Sequence, residues 1–190
     1  MHTAADIFNS IYPLLPEEHA ELGRLWATKK VVLRNQALVE TGDVDKHLWF
    51  VLEGSFVILF ENTNVSACIG LGYPGTLLTS FPSFFSQKPS KFRIVALKRS
   101  EVIGIRHMDL QALLKESSNI HTAYTLLLEQ ALTGLIEREV QYLNTSPAER
   151  LKSLFSRNPQ VFQMFPQKYL ASYLKIDQAT LSRLKATINL

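Results

Sequence analysis

The chain has one cysteine, Cys68, in 190 residues. A single cysteine excludes an intramolecular disulfide and an iron–sulfur cluster held by four cysteines of one chain. Flanked by Val65, Ala67 and Ile69, its thiol reads as an inert strand residue rather than a redox switch. The five histidines (His2, His19, His47, His107 and His121) show no HxH, HxxxH or HExxH spacing, so no metal site is expected. No apolar run approaches the roughly 20 residues of a membrane-spanning helix. The segment Met1-His2-Thr3-Ala4-Ala5-Asp6 lacks the basic start and apolar stretch of a signal peptide. A cytoplasmic protein without membrane association is expected. GxSxG, GxxxxGK and HExxH motifs are absent. A metal-dependent β-barrel enzyme needs clustered histidines and carboxylates on its strands, and the strand-rich region offers only His47, with His107 just beyond. Neither an enzyme nor a cofactor is expected.

What is present is apolar content. Hydrophobic residues make up 46% of the chain, enough for a packed core. The net charge of +3 is unevenly placed. From Ala148 to Leu190 the basic residues Arg150, Lys152, Arg157, Lys168, Lys175, Arg183 and Lys185 face only Glu149 and Asp177, which suits a polyanion partner.

The texture changes along the chain. From Thr3 to Trp26, apolar residues recur at helical spacing, interrupted by Pro13 and Pro16, and Pro16-Glu17-Glu18 is a good helix start. From Lys29 to Arg106, short runs rich in Val, Ile, Leu and Phe alternate with glycine-containing turns, the pattern of an all-β sandwich or barrel. Glu53-Gly54 between two apolar runs predicts a hairpin. Helical texture returns at His107–Lys115 and in a long segment from roughly Asn119 to Leu143. There Tyr124, Leu127, Leu128, Ala131, Leu132, Leu135 and Ile136 make an apolar surface too wide for one contact. One side can cover the β domain while another meets the same helix of a second subunit, so a homodimer is expected.

After Ser146-Pro147, with Glu149 as a capping-box partner, the chain ends in two short amphipathic helices. Leu170, Ala171 and Leu174 form the inner face of the first; Ile176, Leu181 and Leu184 anchor the second, and Asp177 is its N-cap. This is a helix-turn-helix pattern. Gln178, Ala179, Ser182 and Arg183 would face the major groove of double-stranded DNA, where Gln pairs with adenine and Arg with guanine. Lys168, Lys175 and Lys185 would contact phosphates. Lys175 occupies the turn position where glycine is usual, at a modest backbone cost.

The whole pattern resembles the Crp/Fnr family of bacterial regulators. The resemblance is carried by Leu48-Trp49-Phe50-Val51-Leu52-Glu53-Gly54, the Pro74-Gly75 turn, Ala96–Val102, Pro166–Leu174 and Thr180-Leu181-Ser182-Arg183-Leu184. The last two stretches are similar to those of Bacteroidetes members. The resemblance implies an α+β fold in three parts. Residues 1–115 would be a double-stranded β-helix (jelly-roll, cyclic-nucleotide-binding-type β-roll) with flanking helices. Residues 116–145 would be a dimerisation helix, and residues 146–190 a DNA-binding helix-turn-helix with no wing or a truncated one.

It also implies a phosphate cassette, in which a Gly-Glu pair holds the ribose and a later arginine holds the cyclic phosphate. Here Thr79-Ser80 stand at the Gly-Glu positions and Ser90 at the arginine, with Lys91 beside it. Loss of the charged contacts costs about 1.5–3 kcal/mol for a bound phosphate. Strand alternation places Lys91 and Arg93 on one face and Phe92 and Ile94 on the other. Cyclic AMP in the usual mode is therefore not expected; filling of the pocket by aromatics such as Phe81, Phe84 and Phe85 is, with an empty pocket or one adapted to an unidentified small-molecule effector as the other readings. The competing function is a non-catalytic ligand-sensing or protein-interaction module that has lost DNA binding.

Overall fold

The computed structural model describes residues 3–63 and 65–188. In chain order, its elements begin with helices α1 (Ala4–Ile11) and α2 (Pro16–Leu25). Strands β1 (Thr28–Val32), β2 (Ala37–Val39), β3 (His47–Glu53), β4 (Phe56–Glu61), β5 (Ser66–Gly72) and β6 (Leu77–Leu78) follow. Then come helix α3 (Phe81–Ser86) and strands β7 (Phe92–Ala96) and β8 (Ser100–Arg106). The chain finishes with helices α4 (His107–Glu116), α5 (Ser118–Asn144), α6 (Pro147–Arg157), α7 (Val161–Met164), α8 (Gln167–Tyr173) and α9 (Gln178–Ile188).

The strands form two antiparallel four-stranded sheets, ordered β1-β8-β3-β6 and β2-β7-β4-β5. Together they make a jelly-roll-like β domain. Alternate residues of both sheets, among them Val32, Leu38, Trp49, Val51, Phe56, Ile94 and Val102, meet in the core between them, as packed sheets require.

Both sheets are also covered on their outer faces. On the first, Leu48, Phe50 and Ile105 pack with Phe8 of α1, Leu22 of α2, Leu110 of α4 and Ile120 of α5. On the second, Val57, Leu59, Cys68 and Val95 pack with Leu151 and Leu154 of α6, Leu170, Ala171 and Leu174 at α8, and Leu181 of α9. β3 and β4 are therefore apolar without alternation, because both their faces are buried.

The helix starts follow local chemistry. Thr3 and Asp6 form a capping box on α1, and Ser146 and Glu149 form the expected one on α6. Pro16 opens α2, where a missing N–H costs nothing.

The Glu53-Gly54 turn differs from expectation. β3 and β4 belong to different sheets, so the turn is a corner between layers rather than a hairpin. The hairpin is β4–β5, closed after Glu61 and reopening at Ser66. The corner demands glycine twice over. Gly54 has φ +101°, and a Cβ there would lie 2.3 Å from Ser100 Cβ and 2.6 Å from its Cα. The two-residue β6 and the six-residue α3 were too short to carry a readable period.

Gly54→Ala is expected to destabilise the protein by at least about 2 kcal/mol, from the left-handed backbone and the clash with Ser100. Urea denaturation monitored by tryptophan fluorescence checks this; an unchanged midpoint would be the contrary result.

Candidate functional site

The C-terminal unit presents one polar helix face. α8 and α9 are joined by Leu174, Lys175, Ile176 and Asp177. Leu170, Ala171, Leu174 and Leu181 are buried, and Ile176 and Leu184 pack against them. Asp177 caps α9: its Oδ1 accepts the Thr180 N–H at 2.7 Å and its Oδ2 the Thr180 hydroxyl at 2.8 Å. The backbone hydrogen bond from Thr180 is the main reason its carboxyl lies below the usual carboxylate range. Arg183 Nη2 donates to Thr180 Oγ1 at 3.2 Å. Gln178, Ala179, Ser182 and Arg183 are all exposed; Ala179 and Arg183 lie on the side of α9 opposite Leu181, with Gln178 and Ser182 on its flank.

The three lysines are not equivalent. Lys168 is exposed, 4.7 Å from the centre of the Tyr169 ring, and Lys185 is half-buried, 5.9 Å from that of Phe162. Lys175 has a left-handed backbone, φ 54°. Its Nζ lies 3.8 Å from the centre of the Tyr142 ring and 3.3 Å from Glu139 Oε2. Its charge is directed at α5 and is already partnered, unlike that of Lys168.

The same unit is tied to β5, to α5 and to α6. Ser172 Oγ accepts the Cys68 N–H at 2.8 Å, Tyr142 donates its hydroxyl to the Tyr173 carbonyl at 2.5 Å, and Arg150 Nε donates to the Leu174 carbonyl at 3.2 Å. Burial pushes the Cys68 thiol up to about 12, so it carries no thiolate near neutral pH.

Thr79, Ser80 and Ser90, which the resemblance sets at the cassette, are internally satisfied. Thr79 donates its hydroxyl to Asp45 Oδ2 at 2.7 Å, and the Ser80 N–H reaches the same oxygen at 2.9 Å. Ser80 Oγ and Ser90 Oγ share a buried hydrogen bond of 2.7 Å, and Ser90 also donates to the Phe92 carbonyl at 2.8 Å. Thr79, Ser80 and Ser90 thus come together, around a buried carboxylate. Lys91 is exposed, and Arg93 is bidentate to Glu40, at 2.8 and 3.2 Å.

Filling by three aromatics is not what occurs. Phe84 is fully buried, edge-on to His107 at 5.0 Å, but Phe85 is 49% exposed and Phe81 only borders the space. A cavity of about 490 Å³ remains between the second sheet and α5. The cause is the position of Phe85, whose ring packs on Phe81 and Phe84 from outside.

Along α5 the apolar residues separate into two groups. Tyr124 is buried, its ring stacked on Phe8 at 6.3 Å, and Leu127 and Leu128 pack partly into the same cluster. Tyr124 is therefore a core residue of its own domain. Ala131 and Leu135 are exposed, with Leu132, Ile136, Val140 and Leu143 extending an uncovered apolar stripe. One residue escaped the sequence reading. Arg138 lies on the Ala131–Leu135–Tyr142 face of α5 and points into the cavity. The signal was available: a lone arginine three residues after Leu135 and four before Tyr142, on an otherwise apolar face.

Residues 29–117 match the family model of the cyclic nucleotide-binding domain. No curated protein matches the sequence. Solved structures match it over most of its length. FixK2 from Bradyrhizobium japonicum superposes with a TM-score of 0.72 at 10% identity, covering 85% of this chain and 84% of that one. The c-di-GMP responsive global regulator CLP of Xanthomonas campestris gives 0.64 at 14%, covering 90% and 91%. The catabolite activator protein of Thermus thermophilus gives 0.59 at 18%, covering 96% and 86%. These neighbours are Crp/Fnr-family regulators, and at such identities the likeness is one of fold. Among the described residues no helix is long and apolar enough to cross a membrane.

Cys68 should resist alkylation by iodoacetamide at pH 8 in the folded protein and react fully in 6 M guanidinium. Mass spectrometry reads the difference; rapid labelling of the native chain would contradict the buried thiol.

Proposed function

We propose that the chain is a non-enzymatic, DNA-binding transcription regulator of the Crp/Fnr type that acts as a homodimer. The observation that carries this reading is α9. Its inner side is anchored in a core, and its outer side offers Gln178, Ala179, Ser182 and Arg183 to solvent in a basic segment. An exposed helix of this kind after a capped four-residue turn fits the major groove as the second member of a helix-turn-helix. Gln178 and Arg183 supply the bidentate base-reading groups, and Lys168 and Lys185 the phosphate contacts. Lys175, held by Glu139 and Tyr142, serves to set the turn. The similarity of Pro166–Leu174 and Thr180–Leu184 to Bacteroidetes members supports that subgroup.

In this reading residues 1–115 sense, residues 116–145 dimerise and residues 146–190 bind DNA. The uncovered α5 stripe of Leu132, Leu135, Ile136, Val140 and Leu143 has the three- and four-residue spacing of a two-helix seam. Cyclic AMP is not the effector in the usual mode, since the cassette lacks its glutamate and arginine, Asp45 engages the Thr79 hydroxyl and the Ser80 N–H, and the Ser80 and Ser90 hydroxyls bond to each other. Such a regulator works in the cytoplasm.

Two free lysines from each of two subunits give a salt dependence of about a hundredfold in affinity between 50 and 200 mM salt. Fluorescence anisotropy with duplexes selected from a random pool measures it. Arg183→Ala should cost about 1–3 kcal/mol of discrimination between selected and scrambled duplexes and leave the dimer intact. Salt-insensitive or absent duplex binding would leave the interaction-module reading instead. Leu132→Glu and Ile136→Glu should each shift sedimentation from dimer toward monomer; two unaltered dimers would move the subunit contact elsewhere.

A further inference from the structure

Of Gln178, Ala179, Ser182 and Arg183, Arg183 has the longest side chain, and so the most rotamer freedom to lose on meeting a base. It is not left free. Its Nη2 donates to Thr180 Oγ1 at 3.2 Å, one helical turn back. Among the described residues, the side chains of Gln178 and Ser182 make no hydrogen bond. Arg183 is therefore the outward-facing group that the folded chain already holds.

Thr180 is itself fixed. Its N–H and its hydroxyl both run to the Asp177 carboxylate, at 2.7 Å to Oδ1 and 2.8 Å to Oδ2. The second bond selects one of the two rotamers that a helix allows a threonine. A hydroxyl has one proton to give and two lone pairs. Because the proton goes to the carboxylate, Arg183 meets the lone pairs, and donation to a charged partner makes the oxygen a better acceptor. The negative charge before α9 thus reaches the guanidinium through one hydroxyl. The reading edge stays open. A guanidinium has five N–H donors; one is given to Thr180, and two suffice for the O6 and N7 of a guanine.

We propose that Thr180 is a positioning residue for base reading: its hydroxyl, held by Asp177, sets the Arg183 guanidinium in its working pose before DNA arrives. A side chain ordered in advance loses less freedom on binding. The inference rests on the regulator reading above. It adds that selectivity at the base pair met by Arg183 depends on a hydroxyl one turn behind it. A hydroxyl that only completed the helix cap would support every duplex equally. One that met a phosphate would, on removal, weaken all sequences alike and lower the salt slope.

Fluorescence anisotropy of the full chain tests this, with duplexes selected from a random pool and the same duplexes with each base pair replaced in turn. Arg183→Ala identifies the pair that Arg183 reads, as the one whose replacement no longer weakens binding. Thr180→Val keeps the shape and removes the hydroxyl. It should lower discrimination at that same pair about fivefold, the contribution of one hydrogen bond, and leave the other pairs unchanged. Thr180→Ser should restore most of it. Adding Thr180→Val to Arg183→Ala should cost no further discrimination, as residues acting through one contact require. Thermal melts establish folding; if Thr180→Val does not fold, Thr180→Ala, a better helix former, takes its place. Full discrimination at the Arg183 pair without the hydroxyl, a loss shared by all pairs, or no rescue by Thr180→Ser would each overturn the positioning role and leave the regulator reading standing. Undiminished discrimination in Arg183→Ala would overturn it by removing Arg183 as a reader. Absence of duplex binding by the unaltered chain would overturn both readings together.

Discussion

The outer face of the β2-β7-β4-β5 sheet is apolar, and the C-terminal helices are what keep it from water. Val57 is completely buried, Leu59 and Val95 are 6% exposed, and all three meet side chains of α6, α8 and α9 rather than solvent. Burying a side chain of this size is worth about 1.5–3 kcal/mol. The contact therefore weighs heavily against the small net stability of an ordinary domain. The β domain and the C-terminal unit share one core, and neither is complete without the other.

This shared core explains what could be read in the sequence and what could not. Phe56-Val57-Ile58-Leu59-Phe60 announces a strand, because five apolar residues between turn signals fit a strand buried on both faces. It cannot announce its partner. Glu53-Gly54 looks the same whether the next strand lies beside β3 or in the opposite layer, and only the approach of Ser100 settles the corner. Helix boundaries were more legible, because caps are local: Ser146 with Glu149, Asp177 with Thr180 and Pro16 each act within a turn. The inner faces of α8 and α9 were legible for the same reason, since helical period fixes them.

The ligand-facing chemistry was legible by half. That Ser80 and Ser90 stand where the resemblance implies a glutamate and an arginine follows from the order of residues alone. What those serines do instead does not, because Asp45 comes from 35 residues before Ser80 and the Ser80–Ser90 bond closes only in the folded β domain. Lys175 is similar. Its unusual place in the turn is plain, but its partners Glu139 and Tyr142 stand 36 and 33 residues upstream. The left-handed backbone is accepted because the side chain is secured at its far end by an acid and an aromatic face.

β5 is the outermost strand of its sheet, and strand borders of this kind invite pairing with other chains. Here α8 shields the border, and the Ser172 hydroxyl takes the amide hydrogen of Cys68. Lifting the C-terminal helices away would bare both that amide and a greasy sheet surface, a state prone to aggregation. Motion of the unit is thereby restricted to small slides and tilts that keep the border capped, so adjustment of its pose, not its release, is the mechanical vocabulary open to this fold.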